Sequence, residues 1–465
     1  MTSPWDRPQP WVHLPVEVKP REFESRMLLA CVAAERGFGA VVGAKHHVAA
    51  VAATLPRGIY VEKSIQLPGL AGFETRRALG HIECCLDEEG VVYIDDADYT
   101  EGRLAPATLD LMERFIVWGD DQAEVVRRFH PSIGDRLRVT GNPRVDLWRP
   151  ELRAVYDDAV ERIRRAWGDF VLVPTAFAMV NNDRGSGYFL QVVGENGRLD
   201  TERGRAEAEG YVCYSREIYD RMRAAVVAMA EADPGRRIVV RPHPSEQLAP
   251  WQELSAKAPN VVIVREGVLT PWLLAARVVV HNNSTSGLES VLLGRPTVAF
   301  VPLTDPRYDQ NIPNAVSASA SDTSTLLELV DAAFADRPPA LPPERRAVID
   351  RHITAIEGRF ASERLVDSFL ELDAPRLQLE PSVWRSVRRV LTTTPLRVRR
   401  QLARKGARPP ATPPRKGAKF PPSTLGEVEN FLARLRRASG RFSGVECRQV
   451  ATDVYAFTDP SAAGS

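Results

Sequence analysis

The sequence is poor in the features that mark a disulfide scaffold, a membrane span or a polyelectrolyte. Its 465 residues hold five cysteines: Cys31, Cys84, Cys85, Cys213 and Cys447. These are too few and too scattered for a disulfide framework. Cys84 and Cys85 are adjacent, which suits neither a CxxC redox pair nor a zinc pair. Reduced thiols and a cytoplasmic setting are expected. No apolar run approaches the roughly 18 residues of a spanning helix. The first residues, MTSPWDRPQPWVHLPVEV, show no basic segment followed by an apolar core, so no secretory leader is expected. Charge of one sign is also missing: 61 Lys and Arg oppose 60 Asp and Glu, for a net +1. That balance argues against a chain-wide nucleic-acid binder. His46 and His47 are neighbours, and on a helix they would point about 100° apart. His13, His81, His130 and His352 have no acids at ligand spacing, so no metal site is expected. Gly37, Gly39 and Gly43 follow a helical pattern rather than a strand, against the dinucleotide fingerprint. No cofactor is expected.

What is present is strand-helix alternation. WVHLPVEV (11–18), AVVGA (40–44), GIYVEKS (58–64), HIECCLDEE (81–89), FIVWG (115–119) and LRVTGNP (137–143) read as strands with helices between them. This spacing implies a parallel sheet covered on both faces. The pattern restarts with FVLVPTAF (170–177), RRIVVRPHP (236–244), VVIV (261–264), ARVVVHNNS (276–284) and PTVAFVP (296–302). A polar stretch, 178–210, has the length of a functional loop. The helical segment 344–371 closes the second unit. The expected domains are 1–150, 151–375, a basic Pro-rich linker over 376–426 and a small α/β module over 427–465. The fold class is α/β, with two doubly wound, Rossmann-like domains facing a cleft where strand carboxyl ends meet.

Two motifs carry the chemistry. RPHPSE (241–246) ends an apolar strand. It places His243, between two prolines, where an α/β sheet binds ligands, and Arg241 can add charge. HNNSTSGLES (281–290) ends the next long strand and opens a helix. Ser284, Thr285 and Ser286 offer hydroxyls beside free helix N–H groups, an arrangement suited to an anion. Glu289, one turn in, can accept hydrogen bonds from ribose hydroxyls. The same S-x-x-E spacing also fits a capping box on Ser286.

In order and spacing the two motifs resemble the nucleotide-binding half of GT-B glycosyltransferases. They look like the HP and serine-rich motifs of bacterial sialyl- and Kdo-transferases, which use CMP-sugars. The polyol-phosphate transferases of teichoic acid synthesis and the UDP-N-acetylglucosamine 2-epimerases are also similar. The series VEKSI (61–65), LDEEG (86–90), FIVWGDD (115–121), VTGNPRVDLWRP (139–150), Thr175 with Asn181 and Asn182, and EGRFASERL (357–365) narrows this. It resembles the bacterial surface carbohydrate biosynthesis protein family across residues 10–370. The resemblance implies a GT-B-like, metal-independent glycosyltransferase of surface polysaccharide assembly. Its donor would be a nucleotide sugar, with a CMP-linked acidic sugar favoured, and its acceptor a glycan or lipid-linked glycan. An epimerase or a polyol-phosphate transferase is the alternative. The epimerase signatures survive here only as WGDD (118–121) and SGLES (286–290), which weakens that reading.

LDEEG places Asp87, Glu88 and Glu89 at a strand's carboxyl end. The run is similar to the acidic motif of the retaining β-Kdo transferases. One of its carboxylates would serve as base or nucleophile. Lys63 would neutralise a sugar carboxylate or pair with the acids. Ser64, Asn142, Arg144, Thr175, Asn181 and Asn182 complete the expected cleft.

The net +1 conceals a segment. Residues 381–426 hold 12 Lys or Arg, no Asp or Glu and eight prolines, which leaves −11 for the rest of the chain. The hypothesis is that this arm meets the anionic inner face of the cytoplasmic membrane, each basic residue adding about 1 kcal/mol. A chain lacking 381–465 should then pellet less with anionic liposomes than the full chain; equal pelleting would remove the arm as the anchor.

Overall fold

The computed structural model describes residue 5 and residues 9–195, 199–309, 312–372 and 419–462. The expected linker therefore lies, over 376–418, outside the described residues.

The first sheet is built on β1 (Trp11–Val16), β2 (Gly39–Ala44), β3 (Ile59–Glu62), β4 (Ile82–Leu86), β5 (Arg114–Val117) and β6 (Leu137–Val139). These six are parallel in the order β2-β1-β3-β4-β5-β6. Their apolar runs are buried on both faces, as parallel strands require. The order reverses between β1 and β3, the topological switch point of this sheet.

The second sheet uses β7 (Phe170–Pro174), β8 (Arg237–Arg241), β9 (Val261–Ile263), β10 (Val278–His281), β11 (Thr297–Phe300) and β12 (Ala318–Ala320). All are parallel, in the order β12-β11-β10-β7-β8-β9. This is the doubly wound dinucleotide-type order, with its switch point between β7 and β10. Val171, Val173, Val240, Val280 and Phe300 pack against Ile218, Met222 and Met229 of the helix Glu202–Ala232. That helix starts inside the stretch expected to be a loop. Thr201 caps it by accepting from the Gly204 N–H at 3.0 Å, and a second helix, Tyr188–Glu195, precedes it. Polar residues face solvent along both, which hid the helical period.

The chain divides into two compact units at places other than those expected. One holds residues up to 91, 96–155 and 350 onward; the other holds 92–95 and 156–349. The closing helix Ala361–Leu370 thus belongs to the first unit, not the second. Its N-cap, Phe360, has no side-chain acceptor, and Asp146 supplies one from a distance. The buried Asp146 carboxylate accepts from the Ala361 N–H at 2.8 Å and the Ser362 N–H at 2.9 Å. Burial pushes its pKa up to about 6, against the pull of those same backbone donors. Nearby, Trp118 accepts from the Thr354 N–H at 2.7 Å, and His352 meets Asp121 at 3.0 Å. A Cβ on Gly119 would lie 2.4 Å from the His352 carbonyl carbon, so only glycine admits the returning chain. WGDD, TGNPRVD and EGRFASERL therefore meet in one seam.

The last described residues do not form a separate module either. Val428, Phe431, Leu432 and Leu435 line the buried face of the helix Leu425–Ser439, as expected. The hairpin that follows, β13 (Glu446–Ala451) and β14 (Val454–Thr458), extends the first sheet. β14 pairs antiparallel with β2 and satisfies an edge that would otherwise stand open. Arg441 ties the segment down through Glu35 at 2.7 Å and Glu363 at 2.8 Å.

Replacing Asp146 with Ala leaves two buried N–H groups without acceptors. Urea unfolding should show a loss of about 1–3 kcal/mol. Unchanged stability would mean that the seam does not depend on this cap.

Candidate functional site

The carboxyl ends of β7 and β8 are joined by one carboxylate that the sequence analysis did not single out. Glu246 is fully buried. Its Oε1 accepts from the Thr175 hydroxyl at 2.7 Å, the Phe177 N–H at 3.0 Å and the His243 N–H at 3.1 Å. Its Oε2 accepts from Trp251 Nε1 at 2.9 Å and Asn181 Nδ2 at 3.5 Å. Burial raises its pKa, and these donors oppose the rise. The Thr175, Asn181 and Asn182 pattern is thereby explained as a clasp. Asn181 O accepts from the Gln247 N–H at 2.9 Å, and Asn182 O accepts from Gln247 Nε2 at 2.7 Å.

The clasp sets His243. Its ring is exposed, and its Nδ1 accepts from the Ser245 N–H at 3.2 Å. Nδ1 must then carry the lone pair, which puts the neutral ring's proton on Nε2 as a donor. Arg241 is placed differently from expectation. Its guanidinium donates to Glu266 O at 2.8 Å and Gly267 O at 3.1 Å, and lies 5.0 Å from the Trp272 ring centroid. Burial pulls its pKa down to about 10, with Glu266 opposing. Arg241 holds a loop rather than reaching for an anion, because its length and depth suit those carbonyls.

At the end of β10, Ser284 caps the helix Thr285–Leu292 and accepts from the Ser286 N–H at 3.3 Å. The two serine hydroxyls are 2.6 Å apart, and both residues are largely buried. Ser284 rather than Ser286 is the cap, so no capping box forms with Glu289. The Glu289 carboxylate is buried and accepts from the Thr270 hydroxyl. Thr285 is half-buried at the first helical position. Behind the turn, His281 Nε2 meets Ser317 Oγ at 2.9 Å, and burial pulls its pKa down to about 3. Its ring fits only because residue 287 is glycine, where a Cβ would lie 2.2 Å from that nitrogen. Asn283 takes a left-handed φ of 42° and is held by Asn314, through bonds of 3.0 and 2.7 Å. Asn314 and Ser317 carry no motif, and no sequence signal pointed to them.

In the first unit the three acids have different fates. Asp87 Oδ2 accepts from the Tyr99 hydroxyl at 2.8 Å and Gln122 Nε2 at 3.2 Å. Its backbone carbonyl takes the Trp118 indole N–H at 2.6 Å. Glu88 is buried against the buried Arg26 at 3.1 Å, out of hydrogen-bond alignment, and accepts from Asn142 Nδ2 at 3.3 Å. Glu89 alone is open, with a side chain 41% exposed, paired with Arg103 at 2.7 Å and Arg21 at 3.5 Å. Burial would raise its pKa, but Arg21, Arg103 and Lys63 overcome this and hold it at about 2.

Lys63 is neither exposed nor unpaired. It is buried between Glu17 at 3.0 Å and Glu22 at 3.3 Å. Burial works against its charge, yet Glu22, Glu89 and Glu17 lift its pKa above the usual lysine range. Ser64, half-buried, accepts from the Gln66 N–H at 3.4 Å in a turn. Asn142 caps the helix Pro143–Trp148 by accepting from the Arg144 N–H at 2.9 Å. The Arg144 guanidinium lies 5.3 Å from the Trp148 ring centroid. Among the described residues no group of His, Cys, Asp or Glu is arranged to hold a metal ion. No described helix is long and apolar enough to cross a membrane.

No family model matches the chain, and no curated protein does. Solved structures overlap it in part. A putative UDP-N-acetylglucosamine 2-epimerase from Listeria monocytogenes is 13% identical, with 80% of this chain and 100% of that one covered and a TM-score of 0.48. The UDP-GlcNAc 2-epimerase from Neisseria meningitidis, bound to UDP-GlcNAc, is 12% identical over 78% and 100%, with a TM-score of 0.46. The wall teichoic acid polymerase TagF is 13% identical over 67% and 71%, with a TM-score of 0.41. No residue role follows from overlaps of this extent.

Proposed function

We propose that the chain is a glycosyltransferase of bacterial surface polysaccharide assembly that binds a nucleotide-activated sugar, with a CMP-linked acidic sugar favoured. The observation that carries the reading is His243: an exposed imidazole beyond the carboxyl end of β8, with its donor proton fixed on Nε2. A phosphate needs such a donor. The Ser284–Ser286 turn, at the end of β10 on the other side of β7, supports it with a helix N-terminus.

Of the three acids, Glu89 is the one available for chemistry on the sugar. A carboxylate held at about 2 is a weak general base at neutral pH. It stays ionised, as a nucleophile or a stabiliser of positive charge at the anomeric carbon must. Asp87 and Glu88 hold the loop that presents it. Sugar-nucleotide epimerisation would instead need a proton taken from carbon, for which a carboxylate held at about 2 is a poor base.

Thermal shift against CMP, CDP, UDP and GDP tests the donor site. A nucleotide at 100 times its Kd should stabilise the protein by about 2.7 kcal/mol. At the same nucleotide concentration His243→Ala, binding about tenfold more weakly, should lose about half of that shift. Absence of any shift in the unmodified chain would contradict the reading. Conversion of UDP-N-acetylglucosamine without an acceptor would replace transfer by epimerisation.

A further inference from the structure

Glu246 is a buried carboxylate with a full set of partners, and the proposed chemistry does not use it. Five donors from four segments converge on its two oxygens: Thr175, Phe177 and His243 on one, Trp251 and Asn181 on the other. It does more than close the β7 and β8 turns against each other. It holds the backbone N–H of the residue whose ring carries the phosphate donor.

The turn 243–246 is closed from both sides. The Glu246 N–H donates to the His243 carbonyl at 2.8 Å. Arg265 donates to the same carbonyl at 3.1 Å and to the Glu246 carbonyl. Pro242 and Pro244 fix φ on either side of His243. What remains free is the imidazole's own rotation, and the Ser245 N–H stops that by binding Nδ1. The Glu246 carboxylate adds a further bond, to the His243 N–H, at the start of the same turn.

We propose that Glu246 is a positioning residue: through its bond to the His243 backbone it holds the imidazole as the Nε2–H tautomer that donates to a nucleotide phosphate. The inference rests on the nucleotide reading of this site. An amide cannot substitute. With Gln at 246, its oxygen could serve Thr175, Phe177 and His243, but its NH2 would then face the N–H groups of Trp251 and Asn181.

Two measurements on the full chain test this. The first is a titration with CMP and CDP of the unmodified chain, Glu246→Gln, His243→Ala and the double variant. Each single change should weaken binding about tenfold, and the double should be no weaker than His243→Ala alone, the coupling expected of residues acting through one contact. Losses that multiply, or Glu246→Gln binding like the unmodified chain, would overturn the proposal. Trp251→Phe removes one donor and keeps an aromatic ring, so it serves if Glu246→Gln fails to fold; it should weaken binding only when His243 is present.

The second is a long-range proton–nitrogen spectrum of the His243 ring, which needs no ligand. It should show the Nε2–H tautomer in the unmodified chain and a mixture in Glu246→Gln. An unchanged tautomer overturns the positioning role. A fixed tautomer that shifts on substitution, in a chain that binds no nucleotide, upholds positioning and overturns the nucleotide reading instead.

Discussion

A carboxylate cut off from water needs donors or cations around it. Glu246 meets that demand with hydroxyl, backbone, indole and amide donors, and the site of the second unit depends on it. Each donor left without an acceptor would cost about 1–3 kcal/mol. One oxygen collects groups from β7's exit and β8's exit together, which ties the two loops to each other. The rigidity reaches His243 through its backbone rather than its ring, which leaves the ring outside.

The first unit leans more on cations. Several of its acids are paired with them: Glu88 with Arg26, Glu89 with Arg103 and Arg21, Glu17 and Glu22 with Lys63. Removing one partner of a buried pair costs about 3–5 kcal/mol, so most of this cluster is scaffolding for the loop after β4. Of the three acids 87–89, only Glu89 is left partly exposed. The same unit closes itself with chain from far away. Asp146 caps a helix that begins 215 residues later, and β14 returns to cover β2.

Much of this was legible in the sequence. Eleven of the strands stood out because parallel strands, buried on both faces, read as short apolar runs. β12 did not, since Ala-Ser-Ala gives no such run. RPHPSE and the serine turn were rightly placed at strand ends. Depth was not legible. Lys63 and Glu88 look like surface charges in a one-dimensional string, and nothing in their spacing reports that Glu22 and Arg26 wait across the sheet. Arg241 looks like a phosphate ligand until the Glu266 and Gly267 carbonyls are seen to take it. The motifs WGDD, TGNPRVD and EGRFASERL are polar and glycine-bearing, and in the sequence they carry only a family resemblance. The same properties serve a seam where backbone meets backbone.

The central claim is that His243 and the Ser284–Ser286 turn hold a nucleotide's phosphate. A crystal structure of the full chain with CDP or CMP bound tests it directly. The account predicts a phosphate oxygen within hydrogen-bond distance of His243 Nε2 and of the first N–H groups of the helix Thr285–Leu292. A phosphate bound elsewhere, with His243 facing solvent and the serine turn untouched, would contradict it.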